Sequence, residues 1–184
     1  MEIRRIETIG PKVGDELKTS ALQAILIALG LVLIYITFRF QWRQGIAAII
    51  TLLHDVMVVV GIFSIFDKEF TLPVIAALLT VVGYSLNDTI VIFDRIRENI
   101  SKFRKRELLP LINQSVTETL SRTLLTSGTT LMVVLALVFL GGEIIHDFAF
   151  ALLVGVLIGT YSSIYVASPT VLWLTKIAPP KTSD

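Results

Sequence analysis

Cysteine is absent from the 184-residue chain, and charged residues are scarce for its length. Without cysteine, the sequence excludes disulfides, thiolate metal sites and thiol nucleophiles. Charged residues make up 17% of the chain, against roughly a quarter in soluble domains, while hydrophobic residues reach 54% and the mean hydropathy is +0.78. This balance excludes an ordinary soluble domain. The formal net charge of +1 gives no support for a nucleic-acid partner.

The motifs of most enzyme chemistries are missing as well. The sequence contains no nucleophile–base pair, phosphate-binding loop or zinc-ligand spacing. Glu143, His146 and Asp147 are interpreted as a solvated loop rather than a metal site. The first 18 residues lack the apolar core of a secretory signal. We therefore expect no enzymatic activity, no bound cofactor and no metal.

Long apolar runs dominate what is present. They cover residues 19–38, 45–66, 71–93, 123–140 and 148–174. Each is close to or above the ~20 residues that a helix needs to cross the hydrocarbon core, and none alternates like a barrel strand. The sequence predicts an all-α integral membrane protein, a bundle of five transmembrane helices. Pro169 is expected to bend or end the fifth helix.

The polar connection 94–121 is the one sizeable break between these runs. We expect the third helix to continue into it, Pro110 to interrupt it, and a short amphipathic helix to cover residues 111–120. Its basic cluster is interpreted as ordinary positive-inside charge, with anionic lipid or an acidic partner as the alternative.

Lysine and arginine are distributed unevenly between the two sides of the predicted bundle. One side collects most of them, which predicts that it faces the cytoplasm. Residues 1–18 then form an extracytoplasmic tail, and residues 175–184 a cytoplasmic one. An outside N-terminus without a signal predicts an upstream helix that is missing or separately encoded. The residues assigned to the cytoplasmic side are Arg39, Arg43, Arg95, Arg97, Lys102, Arg104, Lys105, Arg106, Arg122, Lys176 and Lys181.

Asp88 is the most informative residue, because it lies inside the third apolar run. A carboxylate in hydrocarbon costs about 3 kcal/mol or more unless it is protonated, paired or exposed to internal water. Tyr84, Ser85 and Asn87 extend the polar patch further into the run. This arrangement favours a proton-binding role for Asp88. The alternative is a solvated position at the cytoplasmic edge of the membrane.

Arg122 opens the fourth run and is the expected partner of Asp88. Thr126, Thr129 and Thr130 follow on one helical face and form a polar stripe that would hydrate a proton path. Alternatively, Arg122 snorkels to lipid headgroups while the threonines bond to their own helix carbonyls.

Two further patterns lie in the second and fifth runs. His54 and Asp55 either relay protons or anchor hydrogen bonds between helices, and the sequence leaves both interpretations open. Small residues recur every four positions along the fifth run and predict close packing of another helix. These small residues are Ala151, Gly155, Gly159, Ser163 and Ala167.

Several stretches resemble the SecD/SecF family of export membrane proteins, within the resistance-nodulation-division (RND) superfamily. The longest is Val82-Gly83-Tyr84-Ser85-Leu86-Asn87-Asp88-Thr89-Ile90-Val91-Ile92-Phe93-Asp94-Arg95-Ile96-Arg97-Glu98-Asn99. The shorter ones are residues 10–14, 54–56, 113–116, 119–123, 126–130 and 159–167.

The resemblance implies an RND-type fold in which the five runs are SecF-like helices 2–6, without the first helix and the periplasmic domain that follows it. It implies that Asp88 and Arg122 belong to a proton path. It implies a complex with SecD that uses the proton-motive force to promote protein export through the SecYEG channel. Further implied contacts are YajC or YidC, membrane lipid and, indirectly, the exported preprotein.

Two other functions stay open at this stage. The chain could be a non-transporting assembly or scaffold subunit whose small-residue face docks SecD. It could also be a fragment of an RND-type exporter of small molecules.

Overall fold

The computed structural model describes residues 11–39, 42–103 and 107–177, which form six α-helices and one π-helical segment. The helices are α1 (Pro11–Arg39), α2 (Trp42–Ile65), α3 (Leu72–Lys102), α4 (Leu108–Leu140), α5 (Glu143–Ser162) and α6 (Ser168–Ile177). The π segment, Ser163–Ala167, joins α5 to α6. Hydrocarbon offers no hydrogen bonds to the backbone, so helices that satisfy their own amides suit this composition.

The all-α membrane architecture is confirmed. Four helical stretches within the described residues are long and apolar enough to cross a membrane: α2, α3, α4 and the continuous stretch Glu143–Ile177. The first predicted run falls within α1, which carries a shorter apolar stretch, Leu26–Ile36. The helix begins at Pro11, within the predicted tail. Residues 1–10 and 178–184 of the two predicted tails, and the basic residues 104–106, lie outside the described residues.

The predicted break at Pro110 is wrong. Pro110 lies in the first turn of α4, where a missing backbone N–H breaks no helical hydrogen bond. Residues 111–120 are therefore the beginning of α4 rather than a separate amphipathic helix. The polar connection consists mostly of the end of α3 and the start of α4.

Helices α3 and α4 form an antiparallel hairpin held by polar side chains at successive levels. From the charged end inward, the pairs are Asn99 with Ser115, Arg95 with Glu118, Asp88 with Ser127, and Tyr84 with Thr130. As the residue number falls along α3, it rises along α4. The hairpin therefore has one register over most of its length.

Pro169 does not end the last helical stretch. It follows the π segment, and α6 continues to Ile177. A proline cannot donate to the preceding turn, and the wider π turn accommodates that loss. Ser168 Oγ donates to the Ser163 carbonyl at 3.4 Å across the same turn.

Glycines bring α5 into close contact with α3. A Cβ atom on Gly155 would overlap the Val81 side chain, and one on Gly159 would lie 3.1 Å from Ser85 Cβ. Ala151, Ser163 and Ala167, the other members of the predicted small-residue face, are also buried. This face is therefore occupied within the chain.

Glu118 lies in the charged part of the hairpin, outside the apolar stretches 72–93 and 123–140. Hydrogen bonds from Asn99, Gln114 and Arg95 lower the pKa of Glu118 to about 2 from its ordinary 4.5. Three side chains from the two helices thus converge on one carboxylate.

We expect acid to loosen this end of the hairpin. Because the pKa of Glu118 is lower in the folded state, its carboxylate stabilises the fold at pH values above its ordinary pKa of 4.5. This stabilisation is lost as the pH falls toward about 2. As the pH falls through that window, the thermal stability of the wild type should decrease more than the thermal stability of Glu118→Gln. Glu107→Gln, an exposed acidic residue before α4, is the control. Identical pH profiles for the wild type and Glu118→Gln would contradict the assignment.

Candidate functional site

Asp88 is buried where α3, α4 and α5 meet, with 3% of its surface exposed. Ser127 Oγ of α4 donates to Asp88 Oδ2 over a long 3.4 Å, and Thr160 Oγ1 of α5 lies 2.7 Å from the same Ser127 oxygen. The carboxyl group is thus linked through one serine to two neighbouring helices. The side chain is therefore buried rather than solvated, in contrast to the alternative raised by the sequence.

Arg122 does not contact Asp88 directly. These two described residues form no ion pair within 4.0 Å, although the guanidinium lies within electrostatic range of the carboxyl group. The Arg122 side chain is exposed on α4. The direct partner of Asp88 is Ser127, which occupies the α4 face that turns toward α3.

The threonines of the predicted stripe make two kinds of hydrogen bond, within α4 and between α4 and α3. Thr126 and Thr129 donate to carbonyls of their own helix, the arrangement that the sequence left as an alternative. Thr130 accepts a hydrogen bond from the Tyr84 hydroxyl at 3.2 Å, which ties α4 to α3. Asn87 is exposed on α3. Of the polar residues predicted around Asp88 and Arg122, Tyr84 and Thr130 therefore form a direct contact between α3 and α4.

Two buried hydroxyls near Asp88 have no hydrogen-bond partner in the described part of the chain. They belong to Thr89, the next residue on α3, and Thr123, one turn before Ser127 on α4. Both side chains are 1% exposed. Buried hydroxyls of native proteins are usually satisfied by protein or water, so each of these two positions is suited to an internal water.

Asp55 is a second buried carboxylate, on α2, with 1% exposure. Its Oδ2 accepts hydrogen bonds from Ser85 of α3 at 2.5 Å and Ser162 of α5 at 2.8 Å. His54 Nδ1 lies 3.0 Å from Asp55 Oδ1. Hydrogen bonding between helices, one of the two interpretations of this pair, is therefore observed.

The sequence predictions assigned no role to Ser127. A signal was available on α4, where small polar residues recur at 115, 119, 123 and 127 and every one of them is buried. That period marks the face against α3, whereas Arg122, Thr126 and Thr129 follow a neighbouring face. The helix carries two polar stripes, and the sequence could not rank them.

At the opposite end of the bundle, Asp147 accepts a hydrogen bond from Lys68 Nζ at 2.5 Å, with His146 beside it. This contact joins the α2–α3 turn to the first turns of α5. Among the described residues, no three acidic or histidine side chains are grouped as metal ligands.

Ser127→Ala should destabilise the bundle, because it removes the residue that joins Asp88 to Thr160. A net loss of about 0.5–2 kcal/mol is expected in the free energy of unfolding, the usual range for a buried hydrogen bond. Ser121→Ala, an exposed serine on the same helix, should change it little. Unfolding in lipid or detergent measures both, and equal stabilities would exclude a bridging role for Ser127.

The comparisons with known proteins agree on one family. A family model described as "Protein export membrane protein SecD/SecF, C-terminal" matches residues 1–177. The chain is 56% identical over 174 residues to "Protein translocase subunit SecF" of Vibrio alginolyticus, covering 95% of this chain and 55% of that protein. It is 53% identical over 166 residues to "Protein translocase subunit SecDF" of Thermus thermophilus, covering 90% and 23%.

Solved structures give the same relation. The crystal structure of SecDF, a translocon-associated membrane protein from Thermus thermophilus, superposes with a TM-score of 0.87 at 51% identity, over 91% of this chain and 23% of that one. SecDF in a super-membrane-facing form gives 0.82 at 49%, over 92% and 23%. The chain spans about half the length of the SecF relatives and about a quarter of the SecDF chains.

Proposed function

Because this chain belongs to the SecD/SecF family of export membrane proteins, we propose that it is the membrane part of a subunit that couples proton movement to protein translocation. Its partners would be a SecD subunit and, through it, the SecYEG channel, with YajC or YidC as further associates. Protons are the coupling ion, and the proposal assigns no role to a cofactor or to enzymatic chemistry. The exported preprotein would be contacted indirectly.

The observation that carries this proposal is the buried carboxyl group of Asp88 within a membrane-spanning helix. It has a single long hydrogen bond to a neutral serine and no cation within ion-pair distance among the described residues. Such a carboxylate is costly in hydrocarbon while ionised and much less so when protonated. Proton uptake and release at Asp88 would therefore change the interactions between α3 and α4.

The exposed side of α4 supports a partner subunit. Only 17% of the most apolar part of α4 is buried within the described chain, against 50% of the corresponding part of α3. Arg122 and Thr129 are exposed on α4 beside large apolar residues such as Leu125. We propose that a SecD-type helix bundle covers part of this side and brings Arg122 into the proton path.

The proposed topology follows from charge. The Lys- and Arg-rich end of the α3–α4 hairpin would lie in the cytoplasm, with the end that contains Lys68 and Asp147 on the opposite side. The chain would be a multi-pass protein of the inner or plasma membrane, with its N-terminal tail outside and its C-terminus inside.

The test is translocation in proteoliposomes that contain SecYEG, SecD and the full-length subunit to which this chain belongs. An imposed proton gradient should accelerate completion of translocation once ATP is removed, and a protonophore should abolish the effect. Arg122→Ala should reduce it, while Arg97→Ala, an exposed arginine at the hairpin end, should not. Translocation that ignores the gradient in wild-type proteoliposomes would overturn the proposal.

The scaffold function has less support, because the face suggested for docking SecD is buried against α3. Nothing in the described residues favours the small-molecule exporter.

A further inference from the structure

The Asp55 site joins three helices at the centre of the bundle. Oδ2 of Asp55, on α2, accepts hydrogen bonds from the hydroxyls of Ser85 on α3 and Ser162 on α5. The other carboxylate oxygen, Oδ1, contacts the His54 imidazole. Ser162 is the last residue of α5 before the π segment. Single π turns inside helices are rare and are often found at functional sites.

Charge balance at this site depends on one proton. No lysine or arginine of the described residues pairs with Asp55, and the serines are neutral donors. Among the described residues in contact with Asp55, His54 is the one that can offset the negative charge, and it does so when protonated. The pair is neutral with one shared proton and charged when that proton leaves, which hydrocarbon disfavours.

Access to the site differs between the two members of the pair. The Asp55 side chain is 1% exposed, whereas the His54 side chain is 35% exposed. Because the imidazole has two nitrogens, it can receive a proton at Nε2 while Nδ1 faces the carboxylate. The imidazole is therefore the more exposed member of the pair and is in direct contact with the buried carboxylate.

We propose that Asp55 is a second proton-binding site, distinct from Asp88 and loaded through His54. A proton binds at His54 Nε2, the Nδ1–H bond breaks, and the O–H bond forms at Asp55 Oδ1, which leaves a neutral imidazole. This inference rests on the proposed function only for the identity of the coupling ion. The acceptor, the relay and the direction of transfer come from the contacts just described.

Protonation of Asp55 changes the contact of α2 with α3 and α5. Hydrogen bonds to an ionised carboxylate are roughly twice as strong as those between neutral groups. The bonds from Ser85 and Ser162 therefore weaken when Asp55 is protonated. This loosens α5 where its π segment begins.

The same two helices connect Asp55 to Asp88. On α3, Ser85 lies three residues before Asp88, so the two side chains are adjacent along the helix. On α5, Ser162 lies two residues after Thr160, which reaches Asp88 through Ser127. Protonation of either carboxylate thus alters hydrogen bonds made by α3 and α5. Because both sites use these two helices, protonation of one site affects the surroundings of the other.

Few other titratable groups surround Asp55 in the described residues. His54 is on its own helix and Asp88 is one turn along α3. From α5 and the π segment, Tyr161 and Tyr165 are exposed and stack on each other at 4.9 Å. Lys176 of α6 is exposed, and Arg39 of α1 pairs with Asp94 at 2.6 Å. Among the described neighbours, Asp88 is therefore the group whose infrared signal must be separated from that of Asp55.

Infrared spectroscopy separates the two carboxyl groups directly. The full-length subunit assembled with SecD in lipid would be titrated with pH while the carbonyl stretch of protonated carboxylic acids is recorded. We expect one band that Asp55→Asn abolishes and Asp88→Asn preserves. His54→Gln should slow the appearance of this band after a pH jump. A titration in which Asp55→Asn removes no band overturns the proposal.

Milder variants guard against misfolding of Asp55→Asn. Ser162→Ala removes one hydroxyl donor and should move the Asp55 band to higher frequency, whereas Ser168→Ala should leave it in place. Ser168 is also buried, and in the described part of the chain its hydroxyl donates to the Ser163 carbonyl. An unshifted band in Ser162→Ala contradicts the site. An Asp55 band that persists when export shows no proton dependence would support this inference while refuting the proposed function.

Discussion

Asp88→Asn should reduce gradient-driven translocation to the level left by a protonophore. Asparagine is nearly isosteric with aspartate and can still accept a hydrogen bond from Ser127, so the packing of α3 against α4 should survive. It cannot bind and release a proton, so any step that needs a change of charge at this position stops. The measurement is completion of translocation in proteoliposomes under an imposed proton gradient.

Asp94→Asn is the matched control for this variant. It makes the same chemical change six residues further along α3, at a carboxylate that pairs with Arg39 and is 39% exposed. Its effect on translocation should be small, because exposed ion pairs contribute little to stability and Asp94 lies outside the apolar run. Full gradient dependence in a correctly assembled Asp88→Asn complex would remove Asp88 from the proton path.

Gly155→Ala should destabilise the bundle, although alanine is intrinsically the better helix former. A methyl group at this position overlaps the Val81 side chain, so α5 must move away from α3. Overpacking of this kind costs about 1–3 kcal/mol, more than the roughly 1 kcal/mol that alanine gains over glycine in a helix. Unfolding of the purified protein in detergent or lipid measures the difference.

Gly83→Ala provides a contrast of opposite sign. A Cβ atom at Gly83 meets nothing within 4 Å, so only the helix propensity remains and the variant should be slightly stabilised. If both alanine variants raise stability equally, the close approach of α5 to α3 is incorrect. Because Gly159 faces Ser85, separation of the two helices should also disturb the hydrogen bond from Ser85 to Asp55.

The helices and the presence of a carboxyl group inside one of them, at Asp88, could be predicted from sequence because both are local signals. An apolar run of about 20 residues has few outcomes other than a spanning helix, and a carboxylate inside one is rare enough to mark a site. The small-residue period on α5 likewise predicted close packing, since it depends on spacing along one helix. Tertiary contacts were not needed for any of these predictions.

The partner of Asp88 could not be predicted, because it depends on the rotation of α4 about its axis. Arg122 is the more conspicuous residue by charge, but Ser127 lies on the buried face. A rotation of about 100° per residue places adjacent positions on different sides, so a charged residue and a serine five positions later point in different directions. Only the packed bundle determines which of them meets α3.

The hydrogen-bond partners of Asp55 could not be predicted from sequence either. His54 and Asp55 were visible as a pair, but their partners lie 30 and 107 residues away along the chain. Neither Ser85 nor Ser162 carries a sequence signal that points to α2. The sequence thus identified the acids, and the fold identified the donors that surround them.

The register of the α3–α4 hairpin has a mechanical consequence. Polar pairs at four levels prevent the two helices from sliding past each other, so they behave as a single stiff rod. A helix of the 31 residues of α3 is about 46 Å long, well beyond the ~30 Å of the hydrocarbon core. The charged end of the hairpin would therefore extend beyond the hydrocarbon core when the apolar part spans it, and a small tilt of the hairpin would give a larger displacement at that end.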